Sequence, residues 1–586
     1  MRKVIKSIGK QKLLYIILGL AIALAFITIH ENYSASLTSD AHAYLTFAKA
    51  FSKLSYPQNP VLSIVHSDAP KEKFIVAHYS SYLLKDGKII SKTPLGYPLL
   101  LSPLLFLFNL NYVYCLNAIM IALIVLFTYL SGKEIFKDEG IGEYAGVIAI
   151  LLLFRVNYNI LDYSLMLSTD VTSLAILSAA FYYTLKEKKI GGLLLGFSLF
   201  IRLTNLAAAL FLIIYLALKR KPNVILPYLA FFLIGASPLV IQDLLSENTI
   251  TRQYANAIEG LVGSRPPSGI SDVIPMEKET YLGALNTIYS IPVLTLALIG
   301  LLWGIKKKGV WMVMLPIIIV YTFAFSKMRI PESYRYLIIT HPFMTLLASY
   351  GLIRAVKLIS IKDEKLGKML PLVGACFIVG DLLFNGLLGE FRIDYLDRVI
   401  LLSGLSLMFY KLLPEDKKII QLSIILAIPL LLAPSHYHTI NPQPFQLKEA
   451  KTFAENINEN TGDNSIILVC KYLGPIVDYY SNRHAIPPYT LNSEIDQLGQ
   501  VIPEDFAVNM SRQVDKIREL MDASYSVYVI DNRRYNKYFG DLEDCGKMKD
   551  EYARYFKVTP VLTLDMEDYN LVGECGKRYC TLYELS

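Results

Sequence analysis

The sequence predicts a mostly α-helical polytopic membrane protein that ends in a soluble α/β domain. Three observations predict it. Of 586 residues, 54% are hydrophobic and 18% charged, with a mean hydropathy of +0.41, where a soluble chain carries about 25% charge. Apolar runs of the roughly 20 residues that cross a bilayer recur from residue 13 to residue 436. From residue 437 onward charge returns and the long apolar runs stop. The net charge of +7, from 57 Lys and Arg against 50 Asp and Glu, leaves no footprint for nucleic acid unless it gathers on one face. The cations sit instead in the short loops between apolar runs.

The first apolar run, residues 13–30, follows Arg2, Lys3, Lys6, Lys10 and Lys12. It is longer than a signal-peptide core and lacks a small-residue cleavage site, so it reads as a retained anchor with a cytoplasmic N-terminus. Basic clusters then recur at Lys133/Lys137, Lys186/Lys188/Lys189, Lys219/Arg220/Lys221, Lys306/Lys307/Lys308, Lys357 to Lys368 and Lys411/Lys417/Lys418. Short loops this rich in Lys and Arg stay on the cytoplasmic side. Satisfying that rule makes 95–108 a re-entrant or interfacial helix on the outer face. It also makes 190–219 two short helices that go out and back, meeting near Arg202. The alternative count, with a hairpin at 95–130 and Lys186–Lys189 outside, breaks the charge rule. Either way the chain makes about thirteen crossings.

This topology gives a membrane module over 1–436, with outer segments at 31–94 and 244–286, and a soluble extracytoplasmic domain over 437–586. In the tail a helical period runs through 446–457 and another through 512–522. Strands are expected at 465–470, 525–531, 560–565 and 579–584, and helices alternating with β-rich runs indicate an α/β sheet. There is no Gly-x-Gly-x-x-Gly turn for a dinucleotide and no Gly-x-x-x-x-Gly-Lys-Ser/Thr loop for a nucleoside triphosphate. Cys115 and Cys376 fall in membrane segments, whereas Cys470, Cys545, Cys575 and Cys580 fall in the tail. Outside the cell Cys575 and Cys580 can pair with each other or with Cys545. Asn32-Tyr33-Ser34 and Asn509-Met510-Ser511 are sequons on the expected outer side.

Ionised groups in or beside a bilayer are costly, which makes them the first place to look for chemistry. Asp40 follows the first crossing and opens an amphipathic run, either as a helix cap or as a carboxylate at the outer surface. Lys92 lies in Ser91-Lys92-Thr93-Pro94-Leu95-Gly96-Tyr97-Pro98, whose prolines and glycine impose an irregular approach to the membrane. On the outer side it breaks the charge bias, as a snorkelling lysine or as a functional one. Asp170 opens another membrane helix, again with a capping alternative. Arg202, between two apolar runs, requires an anion, either a protein carboxylate or a substrate phosphate. Lys327, Arg329 and Arg335 place three cations in one short outer loop beside Glu332 and Tyr336, which an anionic ligand would explain. His341 reads as a core histidine.

In chain order these motifs resemble the GT-C glycosyltransferases. The shared features are an Asp after the first crossing, Lys-x-Pro-x-Gly-Tyr-Pro, a helix opened by Thr169-Asp170, and Gly-x-x-x-x-x-Arg-x-Thr-Asn from Gly196 to Asn205. Arg335-Tyr336 ahead of His341-Pro342-Phe343, and Tyr479-Tyr480-Ser481-Asn482-Arg483 in the tail, extend the match. The branch most similar is that of the protein O-mannosyltransferases and aminoarabinose transferases of bacteria and archaea. The resemblance implies an inverting hexosyltransferase that moves a sugar, mannose or another hexose, from a polyprenyl- or dolichyl-phosphate carrier. The acceptor would be a hydroxyl of a protein, lipid or glycan on the extracytoplasmic side. It implies Asp40 as the catalytic base, and Lys92, Arg202 and Arg335 with Tyr336 around the lipid phosphate. Asp170 would be a supporting acid, or a metal ligand if a divalent cation takes part. The acidic pair of some relatives is absent here, with Ser39 and Ala41 flanking Asp40, and Ser91 stands where the aminoarabinose branch has a Glu. A lipid-linked glycan ligase or polymerase is the nearer alternative. A transporter or flippase would place its ionisable groups at midplane in repeated segments, whereas here they gather at the rim.

Overall fold

The computed structural model describes residues 39–53, 82–85, 88–91, 93–108, 113–153, 160–164, 167–219, 222–246, 250–251, 281–304, 311–327, 337–362, 447–469, 483–486, 510–531, 545–566 and 579–586, with a few isolated positions besides. Its first part is helical: α1 (Ser39–Ser52), a hairpin of β1 (Tyr82–Lys85) and β2 (Lys88–Ser91), α2 (Gly96–Leu107), α3 (Tyr114–Ile135) and α4 (Gly142–Leu153). There follow α5 (Ile160–Ser164), α6 (Thr169–Leu185), α7 (Ile190–Ile201), α8 (Leu206–Leu218) and α9 (Pro222–Leu245). Three more follow among the described residues: α10 (Tyr281–Gly304), α11 (Trp311–Lys327) and α12 (His341–Lys362). Among the described residues three helical stretches are long and apolar enough to cross a membrane: Cys115–Ile135, Pro222–Leu245 and Leu337–Ala355. The expected crossings at 13–30 and beyond residue 362 lie outside the described residues.

One end of the bundle is laced with ion pairs. Lys133, in the last turn of α3, reaches Glu143 at the start of α4 at 2.9 Å, and Lys186, the C-cap of α6, reaches Glu134 at 2.5 Å. The hydrogen bond to Glu134 lifts the Lys186 ammonium above its ordinary pKa range. Lys219, the C-cap of α8, reaches Glu187 in the turn between α6 and α7 at 3.1 Å. Arg354 on α12 pairs with Glu139 between α3 and α4, and the Tyr350 hydroxyl donates to the same carboxylate at 3.0 Å. The Lys133, Lys186–Lys189 and Lys219 clusters therefore share one face. The run 190–219 is two short helices of 12 and 13 residues, the second returning to the level at which the first began. Each is about 18–20 Å long. That is the arrangement the charge rule requires. α2, with 12 residues or about 18 Å, is likewise too short to span.

The turn between α7 and α8 lies at the opposite end. Arg202 caps α7 in an extended conformation (φ −155°, ψ 112°), and a 3₁₀ turn at Leu203–Asn205 starts the return. What fixes α7 is a close crossing with α9. A Cβ on Gly196 would stand 2.1 Å from the Phe232 carbonyl oxygen, and one on Gly235 would stand 2.1 Å from that of Leu193. Lipid tails are as apolar as leucine, so membrane helices associate through such backbone proximity and not through hydrophobic exclusion.

In the last part the described residues form a five-stranded sheet in the order β4-β3-β5-β7-β6, built from β3 (Ser465–Leu468), β4 (His484–Ile486), β5 (Ser526–Ile530), β6 (Val558–Asp565) and β7 (Tyr579–Leu585). β4, β3 and β5 are parallel, while β7 and β6 are antiparallel. Strand alternation sorts the core into two layers. Ile467, Tyr528, Ile530 and Leu582 cluster with Phe453 and Ile457 of α13 (Leu447–Glu459). Ile466, Leu468, Val527, Val529 and Leu585 cluster with Ile517 and Leu520 of α14 (Met510–Asp522) and with Met548 and Tyr552 of α15 (Cys545–Tyr552). All four expected strands and both expected helices are present. β4, α15 and the β1–β2 hairpin are additions that the sequence pattern did not announce. Pro560 sits on the edge strand beside a register shift, where a missing N–H costs no ladder bond. Cys580 on β7 is disulfide-bonded, which agrees with the expectation that it pairs.

Candidate functional site

α6 begins at an extended Ser168 (φ −139°, ψ 158°) whose side chain makes no capping hydrogen bond, and Asp170 lies in its first turn. The Asp170 carboxylate pairs with the Arg202 guanidinium. Asp170 is 1% exposed and Arg202 5%. The carboxylate therefore does more than complement the positive end of a helix: it neutralises a cation that the apolar surroundings could not hold alone. Of the two anions open to Arg202 from the sequence, the protein carboxylate is the one it meets.

A second polar rung lies one turn along. Asn205 Nδ2 donates to Ser173 Oγ at 2.8 Å and to the Ser198 carbonyl at 3.1 Å. The Ser198 carbonyl also accepts the Arg202 backbone N–H at 2.9 Å, closing α7. From the third side the Tyr321 hydroxyl of α11 donates to the Thr204 carbonyl at 2.6 Å, within electrostatic range of Arg202. The helix break is thus held by α6 on one side and α11 on another, and its one cation is fixed by a carboxylate. Such a pre-oriented guanidinium suits a phosphate, which it can meet with several N–H groups at once.

The Lys-x-Pro-x-Gly-Tyr-Pro run arrives at the same place. A Cβ on Gly96 would stand 2.5 Å from the Phe200 carbonyl oxygen, two residues before Arg202. Only a glycine permits that approach. The next residue, Tyr97, is fully buried and meets the Tyr44 ring of α1 edge-on at 5.2 Å. α1 carries Asp40 in its first turn and packs on α2, with Ala41, Tyr44, Leu45 and Ala48 buried in the same core as Tyr97 and Leu101. The structure therefore brings together Asp170 and Arg202, and seats the helices that carry Asp40 and follow Lys92 beside them. The Asp40 side chain, Lys92, Arg335 and Tyr336 lie outside the described residues.

Other motif residues are structural. His341 is 1% exposed and its Nδ1 meets the Tyr289 hydroxyl at 2.9 Å, which is the core histidine expected. Arg483 fastens the end of α13 to the sheet, donating from Nε to Thr461 Oγ1 at 3.1 Å and from Nη2 to the Thr461 and Asn458 carbonyls at 2.9 and 3.2 Å. Tyr321 was not singled out in the sequence, because a lone tyrosine in an apolar run carries no signal of its partner. Among the described residues no group of three or more His, Cys, Asp and Glu could hold a metal ion.

Comparison with solved structures finds the following similarities. ArnT from Cupriavidus metallidurans in the apo state superposes with a TM-score of 0.54 at 11% identity, covering 96% of this chain and 97% of that one. The same protein bound to undecaprenyl phosphate gives 0.54 at 10% identity over 98% of each chain. The Archaeoglobus fulgidus oligosaccharyltransferase tethered with an acceptor peptide gives 0.47 at 13% identity over 90% of this chain and 70% of that one. No family model matches the chain, and no curated protein matches it by sequence. The likeness to ArnT is one of fold alone.

Proposed function

We propose that this protein is a membrane glycosyltransferase that moves a sugar from a polyprenyl- or dolichyl-phosphate carrier to an acceptor hydroxyl, with inversion, on the extracytoplasmic side. The observation that carries this reading is Arg202, held by Asp170 at a helix break on the end of the bundle opposite the basic face. The fold it shares with ArnT, a protein seen bound to undecaprenyl phosphate, supports a lipid phosphate as the anion. Arg202, with Lys92, Arg335 and Tyr336, would hold that phosphate and offset the charge that grows on it as it leaves. Asp40 would take the proton from the acceptor hydroxyl as its oxygen attacks the anomeric carbon and the carbon–phosphate oxygen bond breaks. The engagement of Asp170 with Arg202 favours a role in orienting the guanidinium over one as ligand to a divalent cation.

In this reading the basic face is cytoplasmic by the positive-inside rule, Arg202 is at the outer rim, and 437–586 is an extracytoplasmic domain. The disulfide at Cys580 supports an oxidising compartment for the sheet. The sugar is a hexose in this reading, mannose included, and the acceptor a protein, lipid or glycan.

The test is transfer from labelled polyprenyl-phosphate sugars by membranes containing the wild-type chain or Asp40→Asn. General-base help is worth about a hundred- to ten-thousandfold, so Asp40→Asn is expected to lose transfer on that scale. Near wild-type transfer by the variant removes Asp40 as the base. Transfer from lipid diphosphate donors alone would favour the ligase or polymerase reading.

A further inference from the structure

Gln242 lies in the last turn of α9, on the rim that carries Arg202. Its side chain grips the irregular run that leads into α2. The Leu95 N–H donates to Gln242 Oε1 at 2.9 Å, and Gln242 Nε2 donates to the Thr93 carbonyl at 2.9 Å. Pro94, between them, has no N–H to offer; the Thr93 carbonyl also accepts the Ser91 hydroxyl at 2.7 Å, and Gln242 Oε1 takes up the Leu95 N–H. One residue on, Gly96 rests against the Phe200 carbonyl. Leu95, Leu199, Phe200, Leu239 and Phe47 share one apolar cluster with Ile250. Asp243, the neighbour of Gln242, accepts the Ile250 and Thr251 N–H groups at 3.0 and 3.1 Å. The end of α9 thus anchors the chain entering α2 and the chain leaving α9, and both press on the end of α7 that presents Arg202.

We infer that Gln242 is a positioning residue for the Arg202 phosphate site, acting through the Thr93–Gly96 backbone and the Phe200 contact and not through substrate. The inference rests on the functional reading above. When the grip is lost, the Gly96 seat shifts and the end of α7 shifts with it. An error of this kind at a charge-binding group weakens both the hold on the lipid phosphate and the stabilisation of the charge that grows on it as it leaves.

The experiment is a donor titration with a labelled undecaprenyl-phosphate sugar, on the full-length protein in lipid nanodiscs, with thermal unfolding recorded beside it. Gln242→Leu keeps the volume and removes both hydrogen bonds, whereas Gln242→Glu keeps the acceptor for the Leu95 N–H. Gln242→Leu is expected to lower kcat/KM for the donor about tenfold, as the loss of two hydrogen bonds allows, through a higher donor KM and a lower kcat per folded molecule, with the acceptor KM little changed. Gln242→Glu is expected to fall between it and the wild type. Wild-type donor kcat/KM in both variants, or a kcat that falls with the folded fraction at constant KM, overturns the inference. If Gln242→Leu does not fold, Gln242→Glu decides, and an unchanged donor kcat/KM overturns it. A wild-type chain that transfers nothing from the lipid-phosphate donor overturns the functional reading and this inference together, an outcome distinct from an active wild type with indifferent variants.

Discussion

Ser173 and Asn205 repeat, three residues farther along both segments, the contact that Asp170 makes with Arg202. One rung is charged and the other neutral, and together they tie the start of α6 to the break between α7 and α8. The neutral rung fixes the register in which the charged one can form. Removing one partner of a buried ion pair leaves an uncompensated charge, at a cost of about 3–5 kcal/mol. Asp170→Ala and Arg202→Met are each expected to lower stability on that scale, and the double variant to lose less than the sum. A double-mutant cycle on unfolding of the purified protein measures the coupling, and additive losses would show the pair to be unlinked.

The part of the fold legible in the sequence was the part that obeys a simple period or charge rule. The strands around Ser465, Ser526 and Tyr579 were visible because runs of apolar, mostly β-branched and aromatic residues stand there between turn signals. The out-and-back course of 190–219 followed from Lys186, Lys189 and Lys219 alone, and the Lys219–Glu187 pair places both ends of that hairpin on one face. Less legible were contacts between single polar residues far apart in sequence. Arg202 had to have an anion, but sequence could not choose Asp170 over a phosphate. Gln242 and Tyr321 each meet a backbone group in another element, and a backbone group has no sequence signature. The β1–β2 hairpin and β4, strands of three or four residues, were missed because they lack the continuous apolar run that marks the equally short β3.

The α7–α9 crossing predicts a steep response to a single methyl. Gly196→Ala places a Cβ against the Phe232 carbonyl and the backbone of Ala236, so the helices must part. Overpacking of this kind costs about 1–3 kcal/mol. The same substitution at Gly132 tests a different crossing, where the nearest atoms belong to the backbone of Gly146 on α4. Thermal unfolding in detergent compares the two. Only the Gly196 variant is expected to reduce sugar transfer beyond its effect on the folded fraction, because α7 ends at Arg202.

In the sheet domain, Arg483 is expected to act on stability alone. Its guanidinium is buried against the end of α13, where it meets Thr461, Asn458 and Asp463. Arg483→Ala frees two carbonyls and a hydroxyl, at a cost of about 1–3 kcal/mol. Arg483→Lys recovers little, since a point charge cannot span three acceptors. Melting curves followed by a tail-specific probe read the loss, and transfer per folded molecule is expected to stay at the wild-type level. A variant with normal stability and lost transfer would move Arg483 into the site.

The claim on which the functional reading turns is that Arg202 and the basic clusters occupy opposite faces of the membrane, with Arg202 outward. Cysteines introduced by Thr93→Cys and Lys188→Cys test it most directly, with a membrane-impermeant maleimide on intact cells read by peptide mapping. Thr93 adjoins the Arg202 rim through the Gln242 grip, and Lys188 lies in the exposed turn between α6 and α7. Position 93 is expected to label in intact cells and position 188 only after permeabilisation. Labelling of both from one side, or of position 188 alone from outside, would contradict the account.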